Sequence, residues 1–261
     1  MKLLALPAFT DNYIWMISDG RQALVVDPGD ATPVLQALQD HQLSLAAILV
    51  THRHLDHTGG LAALRPVLQG PVYGPRHEAI DGLDIPVGEG DRFEALDLQF
   101  ETWDTPGHTA GHVSYLALPA QGMPWPQTLV FCGDTLFSAG CGRLFDGTAA
   151  QLLHSLDRLA ALPADTWLCP THEYTVSNLR FASAADPGNP DVAEALNQSL
   201  ALRARGEFTL PTQVGRERQI NPFLRYRQPT VVAQALKQGA PDASALSVFT
   251  TLRQWKNHYP A

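Results

Sequence analysis

The chain has 261 residues, of which 45% are hydrophobic and 17% are charged, a composition typical of a folded globular protein with a large core. It carries 18 Lys and Arg against 26 Asp and Glu, a net charge of −8, with no basic run, which disfavours a nucleic-acid partner. No apolar stretch is long enough to span a bilayer, so no membrane association is expected. Three cysteines without a CxxC pair indicate a reducing compartment, and we expect a cytoplasmic protein.

The first two thirds of the chain predict strands that alternate with helices. Apolar residues recur at helical spacing in "ATPVLQALQDHQ", "GGLAALRPVL" and "TAAQLLHSLDRLAAL". The N-terminal "KLLALPAF" reads as a first strand and not as a secretory leader, because Pro7 and Asp11 interrupt it early. The other strand-like runs are, in chain order, "YIWMIS", "QALVVDPG", "LAAILVT", "PVYGP", "LQFETWDTP", "HVSYLAL", "TLVFCGD" and "TWLCPTH".

Beyond about residue 173 the pattern changes to helices only. The helical segments include "PDVAEALNQSLALRARG", "PTVVAQALKQ" and "ASALSVFTTLRQWKNHY". The sequence therefore predicts a mixed α/β domain over residues 1–173 and a smaller, all-helical domain over residues 174–261.

The string "THRHLDHTGG" places four metal-seeking side chains directly after a predicted strand. His52 and His54 are two apart in an extended segment, so their side chains point the same way and can share one ion. Asp56 and His57 come as the chain turns into a helix, and they suit a second ion. Imidazole and carboxylate are ligands of zinc, iron or manganese, and the absence of clustered Cys favours a catalytic over a structural site.

Two complete coordination spheres need more ligands, and three further candidates repeat the same placement. His108, Asp134 and His172 each follow a strand-like run. Strand ends are where open α/β folds build their sites, so we expect these residues to join the first four. We interpret His112, four residues after His108, as a structural hydrogen-bonding residue and leave it outside the ligand set.

This HxHxDH string with downstream His, Asp and His resembles the metallo-β-lactamase superfamily. The resemblance implies a four-layer αββα sandwich with the site at the edge of two sheets. It assigns one ion to His52, His54 and His108, the other to Asp56, His57 and His172, and the bridging position to Asp134.

Four further strings narrow the resemblance to one family. The segments "GDTLFSAGCGRLFDGT", "HEYTVSNLRFA", "NPFLR" and "LRQWKNHY" resemble the hydroxyacylglutathione hydrolase (glyoxalase II) family, and the likeness runs through essentially the whole chain. It implies hydrolysis of S-D-lactoylglutathione to D-lactate and glutathione, the second step of methylglyoxal detoxification.

The expected glutathione contacts are cations and hydrogen-bond donors. Arg143 closely follows Asp134, Tyr174 lies two residues past His172, and Arg253 and Lys256 are three apart on the last predicted helix. The resemblance places the last two at the glycine carboxylate of glutathione. Some family members have a Tyr where this chain has Phe145, which cannot donate a hydrogen bond to the thiol portion.

The ligand set favours a hydrolytic mechanism. A water shared by two ions is deprotonated near neutral pH and attacks the thioester carbonyl, with Asp56 and Asp134 tuning the charge of the site. The alternatives are a mononuclear-iron glutathione persulfide dioxygenase of the same fold, a nuclease and a non-catalytic metal-stabilised protein. The residues leave zinc, iron and manganese open as the metal; we expect two divalent ions, zinc first, and a monomer.

Overall fold

The computed structural model describes residues 1–119 and 127–260, which divide into two compact units. The first unit comprises residues 1–105, 111–133 and 167–172. The second comprises residues 106–110, 134–166 and 173–261. Each unit is therefore assembled from separate stretches of the chain.

The first unit contains a six-stranded sheet in the order β1-β2-β3-β4-β5-β6. Its first three strands are antiparallel, and the pairs from β3 to β6 are parallel. The strands β2 and β4 are largely buried apolar runs, as expected for strands in the middle of a covered sheet. The bounds are β1 (Lys2–Ala8), β2 (Asn12–Ser18), β3 (Gln22–Val26), β4 (Ser44–Leu49), β5 (Val72–Pro75) and β6 (Ile85–Val87).

A helical layer covers one face of this sheet. Helix α1 (Ala31–Asp40) begins after Asp30, whose side chain accepts a hydrogen bond from the backbone N–H of Thr32. Its buried residues, among them Val34 and Leu38, join the core formed with the sheet. The shorter helices α2 (Leu55–Thr58) and α3 (Leu61–Leu64) follow β4.

The second sheet of the first unit has the strand order β13-β10-β9-β8-β7. Its strands are β7 (Arg92–Ala95), β8 (Leu98–Asp104), β9 (Val113–Ala117), β10 (Leu129–Gly133) and β13 (Trp167–Pro170). Two buried side chains link the sheets: the Tyr115 hydroxyl donates to the Val50 carbonyl at 2.7 Å, and the Trp15 indole N–H donates to the Pro170 carbonyl at 2.9 Å. Both contacts lie next to segments that carry candidate ligands.

The second unit is mainly helical. Helix α4 (Ala149–Ala160) begins with a capping box formed by Thr148 and Gln151. A small core includes Leu179, Val192 and Ile220. Its other elements are the hairpin β11 (Leu136–Phe137) and β12 (Gly140–Cys141), α5 (Thr175–Ala185), α6 (Pro190–Ala204), β14 (Thr212–Gln213), α7 (Val214–Ile220), α8 (Pro229–Lys237) and α9 (Ala245–His258).

The predicted mixed α/β region with a helical C-terminal region is confirmed. Two details of the prediction are wrong. The segment after residue 173 is not purely helical, because β14 interrupts it; two residues are too few to produce an alternating pattern. The predicted helix in "GGLAALRPVL" is split, because Pro66 lacks the N–H that would continue it, and a 3₁₀ turn (Arg65–Val67) follows α3. Across residues 1–119 and 127–260, no helix is long and apolar enough to cross a membrane.

Candidate metal centre

The HxHxDH segment follows β4 and changes direction at His54. His54 has an extended backbone with φ −62° and ψ 147°, and α2 begins at the next residue. The extended part brings His52 Nε2 within 3.0 Å of His54 Nδ1, close enough for both nitrogens to bind one ion. The helical part carries Asp56 and His57, whose Oδ2 and Nε2 atoms lie 3.4 Å apart.

Asp56, His57 and His172 lie together in the first unit. Asp56 Oδ2 is 3.4 Å from His57 Nε2 and 3.5 Å from His172 Nε2, and the three ligand atoms all lie within 4.8 Å of one another. Ligands about 2.0–2.2 Å from a tetrahedral ion are roughly 3.3–3.5 Å apart. These three residues therefore have the chemistry and spacing to hold a divalent ion.

Hydrogen bonds orient the histidine rings. His172 Nδ1–H donates to Asp11 Oδ1 at 2.8 Å, which leaves Nε2 with the lone pair a metal requires. His52 Nδ1 lies 3.1 Å from the Thr51 hydroxyl, which donates to Asp27 at 2.8 Å. In both histidines Nδ1 contacts the supporting side chain, so Nε2 is the nitrogen available as a metal ligand.

Asp27 supports the HxHxDH segment through contacts to Thr51 and His57. It is buried, accepts from the Thr51 backbone N–H at 2.7 Å, and lies 3.1 Å from His57 Nδ1. Thr171 also donates to it, at 3.3 Å. The sequence interpretation missed Asp27, although it follows the apolar run "ALVV" as the ligands follow theirs.

Two other supporting residues were also missed. Asp11 orients His172, and Asn12 Nδ2 donates to Asp56 Oδ2 at 3.1 Å. Asp11 is the last residue of the turn between β1 and β2 and Asn12 is the first residue of β2, and nothing in the local sequence marks them. Gly29 matters for another reason: a Cβ there would lie 1.9 Å from the Asp56 carbonyl oxygen, so only glycine allows this approach.

The remaining two candidate ligands, His108 and Asp134, lie together in the second unit. Both are buried, and His108 Nε2 is 3.5 Å from Asp134 Oδ2. His108 Nδ1–H donates to the Arg143 carbonyl at 2.8 Å, so Nε2 is again the nitrogen with the lone pair. A Cβ on Gly142 would lie 2.0 Å from the Asp134 carbonyl oxygen, which explains the glycine in "GCGR".

His112 has the structural contacts expected of it. Its Nδ1 lies 3.0 Å from the Thr105 hydroxyl, and its ring stacks on His52 at a centroid separation of 4.9 Å. The ring therefore packs behind a candidate ligand.

The predicted glutathione contacts, Arg143, Tyr174, Arg253 and Lys256, all lie in the second unit. Arg253 is buried on α9, and its Nη1 donates to the Cys141 carbonyl at 2.6 Å. Lys256 Nζ donates to the Ser177 hydroxyl at 3.1 Å. Burial, together with the neighbouring guanidinium groups of Arg253 and Arg143, lowers the pKa of Lys256 to about 8. This concentration of positive charge suits an anionic ligand.

Tyr174 and Phe145 expose their rings. Tyr174 is 36% exposed and packs edge-on against Phe137 with a centroid separation of 5.3 Å. Phe145 is 65% exposed, and its ring meets His108 edge-on at 5.1 Å. Both rings are therefore available to a ligand.

Comparison with known proteins agrees with the fold. The family model of the metallo-β-lactamase superfamily matches residues 8–172, and a model described as hydroxyacylglutathione hydrolase C-terminus matches residues 173–259. The fold and the HxHxDH segment thus define a metallo-β-lactamase-type protein.

Full-length relatives are more specific. A hydroxyacylglutathione hydrolase of Albidiferax ferrireducens is 54% identical, with 99% of this chain and 100% of that protein covered. One of Pseudomonas fluorescens is 46% identical, again with 99% and 100% covered. The crystal structure of ETHE1 from Myxococcus xanthus is similar with a TM-score of 0.65 and 25% identity, covering 97% of this chain and 98% of that one. The chain belongs to the hydroxyacylglutathione hydrolase family.

Proposed function

We propose that the protein hydrolyses S-(2-hydroxyacyl)glutathione, with S-D-lactoylglutathione as its substrate, to a 2-hydroxy acid and glutathione. The observation that carries the proposal is the identity over the full chain to hydroxyacylglutathione hydrolases. The positive charge of Arg253 and Lys256 in the second unit supports it, since glutathione carries two carboxylates.

The seven histidine and aspartate residues are proposed to hold two divalent ions. His52, His54 and His108 would bind one ion, Asp56, His57 and His172 the other, and Asp134 would bridge them. The donor set and the spacings within each unit support this assignment. When bound, the ions supply Lewis acidity, which lowers the pKa of water and polarises a carbonyl.

The protein's own residues bind and orient the reactants. Arg253 and Lys256 are proposed to hold a glutathione carboxylate, with Arg143 and Tyr174 at the rest of the tripeptide. Hydrolysis forms a bond between a water oxygen and the thioester carbon and breaks the carbon–sulfur bond, and the two protons of the water pass to the released thiolate and to solvent. The thiolate leaves readily, so no dedicated acid is required. Asp11 and Asp27 keep the ligand histidines oriented throughout the reaction.

Four finer points belong to the same proposal. The metal is proposed to be zinc, with iron or manganese accepted by the same ligands. The protein is proposed to be a cytoplasmic monomer. The functional domains are proposed to be residues 1–173, which act in catalysis, and 174–261, which bind glutathione; the boundary between the two family models at residues 172 and 173 supports this division.

The persulfide dioxygenase alternative is not favoured. A mononuclear site would leave Asp56, His57 and His172 without a role, yet their ligand atoms lie within 4.8 Å of one another. That spacing supports a second ion.

The proposal is tested with two thioesters that share the D-lactoyl group. Thiol release from S-D-lactoylglutathione is compared with release from S-D-lactoyl-N-acetylcysteamine, which lacks the glutathione carboxylates. We expect Arg253→Ala with Lys256→Ala to raise KM for the first substrate and to leave kcat largely unchanged. Lys237→Ala, which removes an exposed cation at the end of α8, serves as the charge control. Equal KM values for both substrates in the wild type would contradict glutathione recognition.

A further inference from the structure

Glu217 is a fully buried carboxylate in α7 that neither the proposed ligands nor the proposed substrate contacts include. Its Oε1 accepts from the Ser138 and Thr212 hydroxyls at 2.9 and 2.8 Å. Its Oε2 accepts from the Ala139 backbone N–H at 2.8 Å and from Asn221 Nδ2 at 3.1 Å. Burial raises the pKa of Glu217, and these four hydrogen bonds oppose that effect. A carboxylate is costly to bury, so the residues that satisfy it indicate what Glu217 does in the structure.

Two of the four donors belong to residues 138–143, which we call the GCGR loop. Ala139 in this loop has φ 55°, a left-handed conformation that residues with a side chain rarely adopt. The Glu217 carboxylate holds that residue by its N–H. A bond from a buried acceptor is a direct way to keep a non-glycine residue in this conformation.

Two asparagines complete the support beneath the loop. Asn221 Nδ2 donates to the Gly140 carbonyl at 2.9 Å as well as to Glu217. Asn178 Nδ2 donates to the Ser138 carbonyl at 3.0 Å. The loop backbone is thus held by side chains from α5, α7 and the residue after α7.

Farther along, the same loop orients two residues of the proposed active site. The Cys141 carbonyl accepts from Arg253 Nη1 at 2.6 Å, and the Arg143 carbonyl accepts from His108 Nδ1–H at 2.8 Å. One short backbone segment therefore sets the orientation of Arg253, a proposed substrate-binding side chain, and of His108, a candidate metal ligand.

We propose that Glu217 is a positioning residue, which fixes the GCGR loop and thereby the orientation of Arg253 and His108. The inference rests on the proposed glutathione thioesterase function and deepens it. Glu217 contacts the loop, and it acts on the substrate and the ion only through that loop.

The glutamine variant gives a sharp test. In Glu217→Gln the amide oxygen can occupy the Oε2 position and accept from Ala139 and Asn221, while the NH₂ group donates to the two hydroxyls, which can accept as well as donate. In Glu217→Ala the buried N–H of Ala139 loses its partner. We therefore expect Gln to preserve the loop and Ala to release it.

The measurements are KM and kcat for S-D-lactoylglutathione, with metal content determined on the same samples. We expect Glu217→Ala to raise KM about tenfold, the factor that corresponds to ~1.4 kcal/mol of binding, and to retain less metal. Glu217→Gln should have a KM and a metal content close to those of the wild type.

Asp186→Ala is the matched control. Asp186 is another buried carboxylate of the second unit, it accepts from Thr230, Asn189 and Arg225, and none of these partners lies in the GCGR loop. It should lose stability without a change in KM. Should Glu217→Ala not fold, Ser138→Ala removes one loop bond alone and should still raise KM.

An unchanged KM in folded Glu217→Ala, or in Ser138→Ala where the first variant does not fold, would overturn the inference. So would a rise in KM that Asp186→Ala reproduces. A wild-type protein that binds metal but does not hydrolyse the thioester would instead overturn the proposed function, so the two failures are distinguishable.

Discussion

Removal of the Asp11 carboxylate is expected to weaken metal binding through His172. The carboxylate accepts the Nδ1–H of His172 at 2.8 Å and so fixes both the ring orientation and the nitrogen that carries the lone pair. Loss of such a partner typically weakens metal affinity about 10–100-fold, or ~1.4–2.8 kcal/mol. Because the Asp11 side chain is 32% exposed, we expect Asp11→Ala to lie near the lower limit, about tenfold.

The assay is competition between the protein and a chelator for zinc, which yields a dissociation constant for each bound ion. Asp11→Asn retains an acceptor oxygen without the charge and should fall between the wild type and Asp11→Ala. Asp19→Ala is the control, since Asp19 accepts from the backbone N–H groups of Arg21 and Gln22 in an exposed turn. Identical zinc affinities for Asp11→Ala and the wild type would refute the orienting role.

Three other predictions test separate parts of the structure. KM for the glutathione thioester should rise above about pH 8, because burial and two neighbouring guanidinium groups lower the pKa of Lys256 to about 8 and its positive charge is lost above that pH. Lys256→Arg should abolish the rise. A wild-type KM that does not change with pH would contradict the prediction. Gly142→Ala places a Cβ 2.0 Å from the Asp134 carbonyl and should lower kcat/KM by roughly 100-fold; normal activity would show that the loop can shift. Tyr115→Phe removes the 2.7 Å hydrogen bond to Val50 and should cost ~1–3 kcal/mol in urea unfolding, whereas an unchanged midpoint would mean that the bond contributes no net stability.

Most of the longer strands and helices could be predicted because their patterns are local, whereas β6, β7 and α5 were not predicted. The run "LAAILV" is apolar throughout, and the structure places its first five residues in β4, where most of them are buried. Helices α4 and α9 follow from apolar spacing. The structure adds the side-chain caps at Thr148 and Ser244 that begin them. The hairpin of β11 and β12 escaped prediction, since each strand has two residues and no periodicity.

The site likewise contains residues that the local sequence predicts and residues that it does not. Asp56 and His57 are neighbours in a dense motif, so their chemistry is visible in the sequence, and the structure does bring them together with His172. The supporting residues depend on long-range contacts: Asp11 and His172 are separated by 161 positions, and Ser138 and Glu217 by 79. Such a partnership leaves no mark in the local pattern of either residue.

The compact units also interleave along the chain in a way that periodicity does not reveal. Residues 106–110 and 134–166 belong with the C-terminal helices, although strands of the first unit precede and follow them. Whether a loop packs with one core or another is decided by its tertiary contacts, as at Gly107, where a Cβ would lie 2.4 Å from the Leu152 side chain.

The most direct test of the account is a metal titration of the metal-free protein with thiol release from S-D-lactoylglutathione measured at each step. The account predicts that activity follows the binding of the second ion and reaches its plateau at about two ions per chain. It also predicts that Asp134→Ala, which removes the proposed bridge, neither fills both positions nor recovers activity. Full hydrolysis at one ion per chain, or full hydrolysis by Asp134→Ala with an unchanged metal content, would contradict the binuclear site.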